Sequence, residues 1–419
     1  METKPTLEGI RAAYNKVLER YRNLRARQRE HLDYFECDYA EKTGQVVGKG
    51  IVHHVLPPIA QEIIEPGVNM LAQVSLIVHC NPEQKGPEGR ETERAKTEAN
   101  TKEKWLQTLV DDLADVQPYS IEQAAFFYNL SGEAFLQVDF DWDYLKNGEK
   151  YEGNPLSIKA PDPTAIYASL NLDKYSRPTW LYQKKVMLAG DAREQLANWL
   201  GDKYVELWKG TEDHELVFWV EWWRKSWRGI LTGTKEEEID TWQLVPMTEE
   251  DETVVPNLLG FVPFIRLLGG RGFFASEAEP EKAVRGTLRG YETQIVQLAR
   301  EMTKIDTLSS YFAGANPHVT GVNAEGLSAF ERDNLSPVFG PGIMIKDVKD
   351  QYLITWDRPP NIPDALIANL NQIKANFERA FPGVVSGQSI PGEPAASTLS
   401  HLVQATLRWE PLKRAIRQG

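Results

Sequence analysis

Cysteine is scarce in this chain: Cys37 and Cys80 are the only two among 419 residues, and they form no CxxC pair. A disulfide framework is therefore excluded as the basis of the fold, and a reducing interior is the expected setting. No GxxxxGK[ST] occurs, so no P-loop is available to cradle a nucleotide. No apolar run reaches the roughly 18 residues that cross a bilayer, and no membrane partner is expected. Glu8, Arg11, Lys16, Glu19 and Arg20 interrupt the apolar stretch an export signal would need, so none is expected. Internal repeats and low-complexity tracts are missing too, which argues against a solenoid. Positive charge is in deficit, with 47 Lys and Arg against 60 Asp and Glu and a net charge of −13. That balance argues against tight, groove-filling nucleic-acid binding, but allows a surface past which DNA slides.

Catalytic constellations are equally thin. Gly269-Gly270-Arg271-Gly272 is glycine-rich but lacks the Lys-Ser/Thr pair, and reads as a linker. Gly387-Gln388-Ser389 begins like a nucleophile elbow, yet Pro391 stands where the last glycine belongs. Asp139, Asp141 and Asp143 share one face of a strand and could attract a divalent cation; a solvated face is the plainer reading. An EF-hand fails there because Tyr144 and Lys150 occupy the positions that need glycine and glutamate. His53 and His54 are adjacent and point apart, with no further ligand at zinc spacing. No enzyme activity, metal or cofactor is expected. Trp180, Trp199, Trp208, Trp219, Trp222, Trp223, Trp227 and Trp242 form a dense aromatic region. Exposed, they would stack on sugars or bases; the alternation at 217–223 favours a half-buried aromatic core instead.

What the chain does have is helical periodicity on a long scale. Val284, Leu288, Tyr291, Ile295, Leu298, Met302 and Ile305 follow a 4, 3, 4, 3, 4, 3 spacing, one apolar seam. About 30 residues of helix would make a rod of roughly 45 Å. Leu366, Leu370, Ile373 and Phe377 repeat the spacing after Pro363, and Pro382-Gly383 stops it. Rods of that length are expected to pack against copies of the chain or to span a second body. Lys282, Arg289, Arg300 and Lys304 lie opposite the seam, either as a solvated face or as a sparse basic stripe for a polyanion.

Elsewhere, Ile10, Tyr14, Val17, Tyr21 and Leu24 make one face of a helix from residue 6 to about 29. Its end carries Arg20, Arg22, Arg25, Arg27 and Arg29, read as a solvated helix end favoured by the dipole or as a contact for nucleic acid or an acidic neighbour. Helical stretches are also expected at 51–78, with Pro66 bending it, around Trp105 to Leu113, around Ala124 to Tyr128, and at 191–200. From Gly132 the period changes to two, with Ala134, Leu136, Val138 and Phe140 on one face of a strand. Residues 1–280 are thus expected to be an α+β body with a β-rich second half. Ser397 or Thr398 caps a last helix that Pro411 should kink, and the chain still reads as helical at Gly419.

The order of these features resembles the portal proteins of tailed double-stranded DNA bacteriophages, over nearly the whole chain. The resemblance rests on Arg29-Glu30-His31-Leu32-Asp33-Tyr34-Phe35 after the basic helix, and on Val74-Ser75-Leu76-Ile77-Val78-His79-Cys80-Asn81-Pro82. It continues with Gly132-Glu133-Ala134-Phe135-Leu136-Gln137-Val138-Asp139-Phe140-Asp141 and Ile158-Lys159-Ala160-Pro161-Asp162-Pro163-Thr164-Ala165-Ile166-Tyr167. Phe261-Val262-Pro263-Phe264 stands where the family has a proline-containing strand before its long helix. It implies a wing at 1–280, a stem helix at 281–312, a clip at 313–358 and a second stem helix at 359–381. A tunnel loop at 382–397 and a helix at 398–419 leading back to the wing and crown would follow, with any crown lying beyond Gly419.

Such a subunit would join a ring, a dodecamer by expectation, at the portal vertex of the virion, assembled in the host cytoplasm. The ring would pass double-stranded DNA without reading sequence and dock the terminase large subunit, the major capsid or scaffold protein and a head–tail adaptor. The tunnel loop would place Ser386, Gly387, Gln388, Ser389 and Glu393 near DNA, and the clip would offer Glu331, Arg332, Asp333, Asp347, Lys349 and Asp350 to partners. The rival expectations are another ring-forming head–tail connector, and a carbohydrate-binding or carbohydrate-active protein built on the tryptophans of 180–242.

Overall fold

The computed structural model describes residues 3–43, 54–72, 80, 93–116, 118–140, 156–171, 177–200, 207–208, 210–248, 251–269, 279–313, 316–321, 352–357 and 364–380. They divide into two units: the described residues of 1–32 and 62–289, and those of 33–61 and 290–383. The architecture mixes helices with antiparallel sheets, an α+β arrangement.

Helix α1 (Leu7–Phe35) follows its apolar period closely: Ile10, Tyr14, Val17, Tyr21 and Leu24 are all buried. One turn further on, the buried face becomes polar, with Arg25, Gln28 and His31. Helix α2 (Ile59–Ala72) carries Pro66 inside it, and buries Ile59, Ile63, Ile64 and Val68. Helices α3 (Glu93–Val116) and α4 (Pro118–Ser131) follow, and α4 runs directly into the first strand.

Strand β1 (Glu133–Phe140) is the centre of a three-stranded sheet, between β2 (Leu156–Lys159) and β9 (Phe264–Leu268). Val138 lies opposite Ile158 and Leu136 opposite Ile265. The larger sheet orders β3 (Ile166–Ala168), β4 (Trp180–Leu188), β5 (Leu216–Arg224), β6 (Trp227–Gly233) and β7 (Gln243–Leu244), with β8 (Val254–Pro256) also on β6. Helix α5 (Ala189–Leu200) follows β4.

Alternation along β5 serves both faces of that sheet. Val220 and Trp222 join Tyr14, Tyr21, Tyr182 and Trp242 in a core beneath α1. Val217 and Trp219 face the other way and pack with Ala192, Leu196 and Trp208. Phe135 and Phe264 of the smaller sheet meet Ile166, Ala168 and Leu181 of the larger one, so the two sheets share a third core. Half of the tryptophan-rich region is thus core: Trp208, Trp219, Trp222 and Trp242 are at most 8% exposed, while Trp180, Trp223 and Trp227 are half-buried.

The continuous helix expected over 281–312 is in fact three pieces. A short helix α6 (Pro280–Ala283) ends at Val284, which is extended (φ −93°, ψ 121°). A 3-10 turn covers Thr287–Gly290, and helix α7 (Glu292–Ala313) begins after it. The cause is a junction of glycines from distant segments. Gly132 has φ +80°, and a Cβ there would stand 2.3 Å from Arg285 C and Gly286 N. A Cβ on Gly286 would stand 2.3 Å from Leu130 O, and Gly269 N donates to Gly132 O at 2.7 Å. Backbone packed on backbone leaves no room for a helical cylinder there, and this overrides the local 4/3 spacing.

Candidate functional site

The region singled out by its long-range helical period is the unit holding 290–383. In chain order it contains α7, an antiparallel hairpin of β10 (Asn316–Gly321) and β11 (Tyr352–Asp357), and helix α8 (Asp364–Ala380). Val319 pairs with Ile354, and α7 packs against α8. At about 1.5 Å per residue the 22 residues of α7 give a rod of about 33 Å, shorter than the sequence alone implied.

The expected seam is divided by the break. Val284 and Leu288 lie before α7, and Val284 belongs to the core beneath α1. Both are buried within one chain, as are Ile295 and Leu298 on α7. Tyr291, Met302 and Ile305 are half-buried. The expectation that the whole seam faces a neighbouring copy therefore fails at Val284, Leu288, Ile295 and Leu298, which the chain covers itself. On α8 the outcome differs: Leu366, Leu370 and Ile373 are half-buried, and Ile367 is 42% exposed.

The four cations placed opposite the seam do not share a helix face, because Lys282 and Arg289 precede the break. Each has a local acceptor. Lys282 pairs with Glu279 and Lys304 with Glu301, one turn away in each case. Arg289 Nη1 donates to Glu281 O at 2.9 Å. Arg300 Nε donates to Thr43 O at 3.0 Å, and its Nη2 to Lys42 O at 3.3 Å, at the end of the 3-10 turn Ala40–Thr43. Two of the four are thus backbone clamps. Lys282–Glu279 is an exposed pair that is worth little and exchanges readily, while Lys304 is half-exposed on a buried Glu301.

At the basic end of α1 the acidic-neighbour reading holds for Arg25, and the solvated one does not. Arg25 is buried, with Nη1 donating to Glu133 and to Gln28, and Nη2 to Ile166 O. Arg266 reaches the other oxygen of Glu133, with Nε at 3.0 Å, while its Nη1 donates to Ala168 O and Ser169 O at 3.1 and 2.8 Å. Gln28 Nε2 donates to Glu133 Oε1 at 3.0 Å and to Ser131 O at 3.2 Å. Tyr21 donates its hydroxyl to Ala168 O. One carboxylate between two guanidiniums therefore joins α1, β1, β3 and β9. Burial alone would raise the Glu133 carboxyl; Arg266 and Arg25 outweigh it and hold the group below the usual carboxylate value. Burial would lower Arg266, and Glu133 outweighs that and raises it. Arg27, two residues on, donates to Glu281 O at 3.0 Å.

Asp139 is held by Lys159 at 3.0 Å and by Gln137, while Asp141 and Asp143 lie outside the described residues. His54 contacts the Thr43 hydroxyl at 3.0 Å, and His53 lies outside the described residues. No cluster of three His, Cys, Asp or Glu able to hold a metal ion occurs among the described residues. Ser386, Gly387, Gln388, Ser389 and Glu393 lie outside them, as do Glu331, Arg332, Asp333, Asp347, Lys349 and Asp350. So do the strand expected near 74–79, most of the loop at 83–94, and the helix expected at 398–419. No helix among the described residues is long and apolar enough to cross a membrane. No protein-family model matches the chain, and no curated protein matches it.

Proposed function

We propose that this chain is a subunit of a phage portal, a ring through which double-stranded DNA enters and leaves the capsid. The observation that carries the reading is the order helix, antiparallel hairpin, helix from Glu292 to Ala380, set in a unit apart from a β-rich body. The open seam of α8 supports it. Leu366, Leu370 and Ile373 keep a helical period that one chain leaves half covered, and neighbouring subunits would cover it. The net charge of −13 fits a conduit that must not hold its cargo. Lys282 would then exchange its exposed carboxylate partner for passing phosphates and Lys304 would offer them its half-exposed ammonium, whereas Arg289 and Arg300 hold backbone and serve the fold. DNA contacts would be to the backbone alone and would position without reading sequence.

The role is mechanical: a rigid annulus, with a terminase motor, capsid or scaffold protein and a head–tail adaptor docking on it. The carbohydrate alternative keeps only part of its support, because Trp208, Trp219, Trp222 and Trp242 are buried and only Trp180, Trp223 and Trp227 are half-buried among the described side chains. Negative-stain imaging of the purified chain tests the reading. Rings of twelve or thirteen subunits with a central hole are expected; monomers at every concentration would overturn it.

A further inference from the structure

The two ends of the β4–β5 ladder carry opposite charge and matching exposed apolar groups, and we propose that they dock on each other head to tail between two copies of this chain. At one end Leu188 lies opposite Leu216 and Val186 opposite Phe218 on the same sheet face. Tyr182, Val220 and Trp222 on that face are covered by the core beneath α1. Past Phe218, which stacks on Trp242, that cover runs out: Val186, Leu188 and Leu216 are 49%, 42% and 56% exposed. The surrounding charge is acidic. Glu212, Asp213 and Glu215 precede Leu216, and Asp191 follows Leu188, against Arg193, which pairs with Asp213, and Lys184, which lies over the Phe218 ring and pairs with Glu236.

At the other end a turn holds Leu258 93% exposed, with Leu259 and Phe261 each 37% exposed. The turn is built rather than loose. Asn257 is buried; its Nδ2 donates to Arg224 O and Phe261 O, both at 2.8 Å, and its Oδ1 accepts from Leu259 N at 3.2 Å. Asn257 N donates to Ser226 O at 2.9 Å, which fixes the turn to the β5–β6 hairpin. Arg224, Lys225 and Arg228 lie on that hairpin, and Arg177 sits over the Phe261 ring at 4.4 Å. No acidic residue occurs in 224–229 or 254–261. One apolar end is thus held on a hairpin rich in cations, with Arg177 on its Phe261 ring, and the other lies among carboxylates.

Strand β5 has nine residues and holds the two ends about 27 Å apart, at about 3.4 Å per residue. Two different, complementary surfaces at opposite ends of a rigid element make a heterologous contact, which generates a ring if the rotation closes and a filament if it does not. An isologous dimer would instead press acid on acid or base on base. The contact does not rest on the portal reading, since it follows from these two ends whatever the rest of the chain does.

The test uses the full chain with Cys37→Ser and Cys80→Ser, and adds Leu216→Cys, Leu258→Cys or both. All four sites are at least partly exposed, so the fold should tolerate them. Within one chain the introduced cysteines are far beyond disulfide reach, so any bridge between them joins two copies. Under mild oxidation the double variant is expected to give a ladder of multimers on a non-reducing gel, and each single variant no cross-link. Dimers from either single variant would overturn the head-to-tail contact in favour of like-on-like packing; no product from any variant would overturn it outright. Lys225→Glu and Glu215→Lys should each reduce the ladder at least several-fold and restore it when combined. Rings seen by microscopy without a ladder would sink this contact and leave the portal reading standing, and a ladder of open filaments would do the reverse.

Discussion

The two units differ in how far one chain covers its own apolar pattern. In the β-rich unit, three cores close over both faces of the larger sheet, and even the charged residues facing inward find partners. In the unit of α7 and α8, the first helix is covered at Ile295, Leu298 and Ala299, while the second leaves its period half open at Leu366, Leu370 and Ile373. A helical period of 3.6 says that one face will be covered; it does not say whether the cover comes from the same chain. The β-rich unit covers most of its sheet with its own side chains and leaves only the ends of the β4–β5 ladder exposed, while α8 is half covered along its whole described period.

The largest expected effect breaks the first half of that contrast. Glu133→Gln removes the one carboxylate between Arg25 and Arg266 and leaves two buried guanidiniums without their counter-ion. A loss of about 3–5 kcal/mol is expected. Urea unfolding followed by fluorescence reads it directly, because Trp219, Trp222 and Trp242 lie in the same unit and become exposed when it opens. Replacing all three charged residues with apolar residues of similar volume should cost far less than the single change. Equal losses would mean that the charges are incidental to how α1 is held.

Second in size is a paired experiment on the two helices. Leu298→Asp buries an unpaired carboxylate inside one chain, and should cost about 3 kcal/mol or more of monomer stability at any concentration. Leu370→Asp places the charge on a half-covered face, and should change monomer stability by less than about 1 kcal/mol while shrinking the assembled species in sedimentation velocity. If the two variants behave alike, the contrast between the helices is lost.

Much of the β-rich unit was legible because its signals are local. The period of two marked β1 as a strand, although the side of Glu133, Phe135 and Gln137 is the more buried, and Ile10 to Leu24 repeat as α1 does. The helix pair of the candidate site was legible only as order, since Pro, Gly and a returning period mark where rods end and not what covers them, and the pairing of β10 with β11 between them was not read at all. Two features were hidden because their partners are remote in sequence. Arg25 sits in a run of arginines that reads as a solvated helix end, and its carboxylate is 108 residues away. The break at Val284 comes from Gly132 and Gly269 meeting Gly286. Gly286 and Gly290 inside an otherwise helical pattern were the signal that could have found it, since each costs about 1 kcal/mol against alanine unless it has a packing role.

The pH dependence of the β-rich unit follows from the same burial and is intermediate in size. Glu133 is held below its unfolded value, so its contribution is present above the unfolded carboxylate pKa near 4 and is lost as pH falls through the lower folded value. Burial raises Tyr14, Tyr21, Tyr167 and Tyr182, and pushes Tyr128 up to about 12. These phenols are neutral in the fold, so their contribution is complete below the unfolded value near 10 and is lost as pH rises through the folded values. Stability from urea midpoints should therefore be flat between about pH 5 and 9, and fall on both sides. A midpoint that still rises above pH 10 would contradict the burial of the tyrosines.

The smallest effects separate the cations that serve the fold from those free to meet DNA. Arg300 donates to two backbone carbonyls, and Arg289 to one, so Arg300→Ala and Arg289→Ala should each cost about 1–2 kcal/mol. Lys282 sits in an exposed pair, and its alanine variant should change stability by less than about 1 kcal/mol, whereas Lys304→Ala leaves the buried Glu301 without its cation and should cost more. The value of both lysines would lie in binding. A duplex neutralises each lysine it meets by releasing counter-ions, so losing two contacts should lower the slope of log affinity against log salt by about 2. The measurement is a salt titration of the assembled protein on a duplex of random sequence, with affinity expected to be weak throughout, given the net charge of −13. Arg289→Ala and Arg300→Ala should leave the slope unchanged, because their guanidiniums are already committed to carbonyl oxygens. If instead the arginine variants flatten the slope and the lysine variants do not, the division drawn from their hydrogen bonds is reversed, and the arginines are what DNA meets.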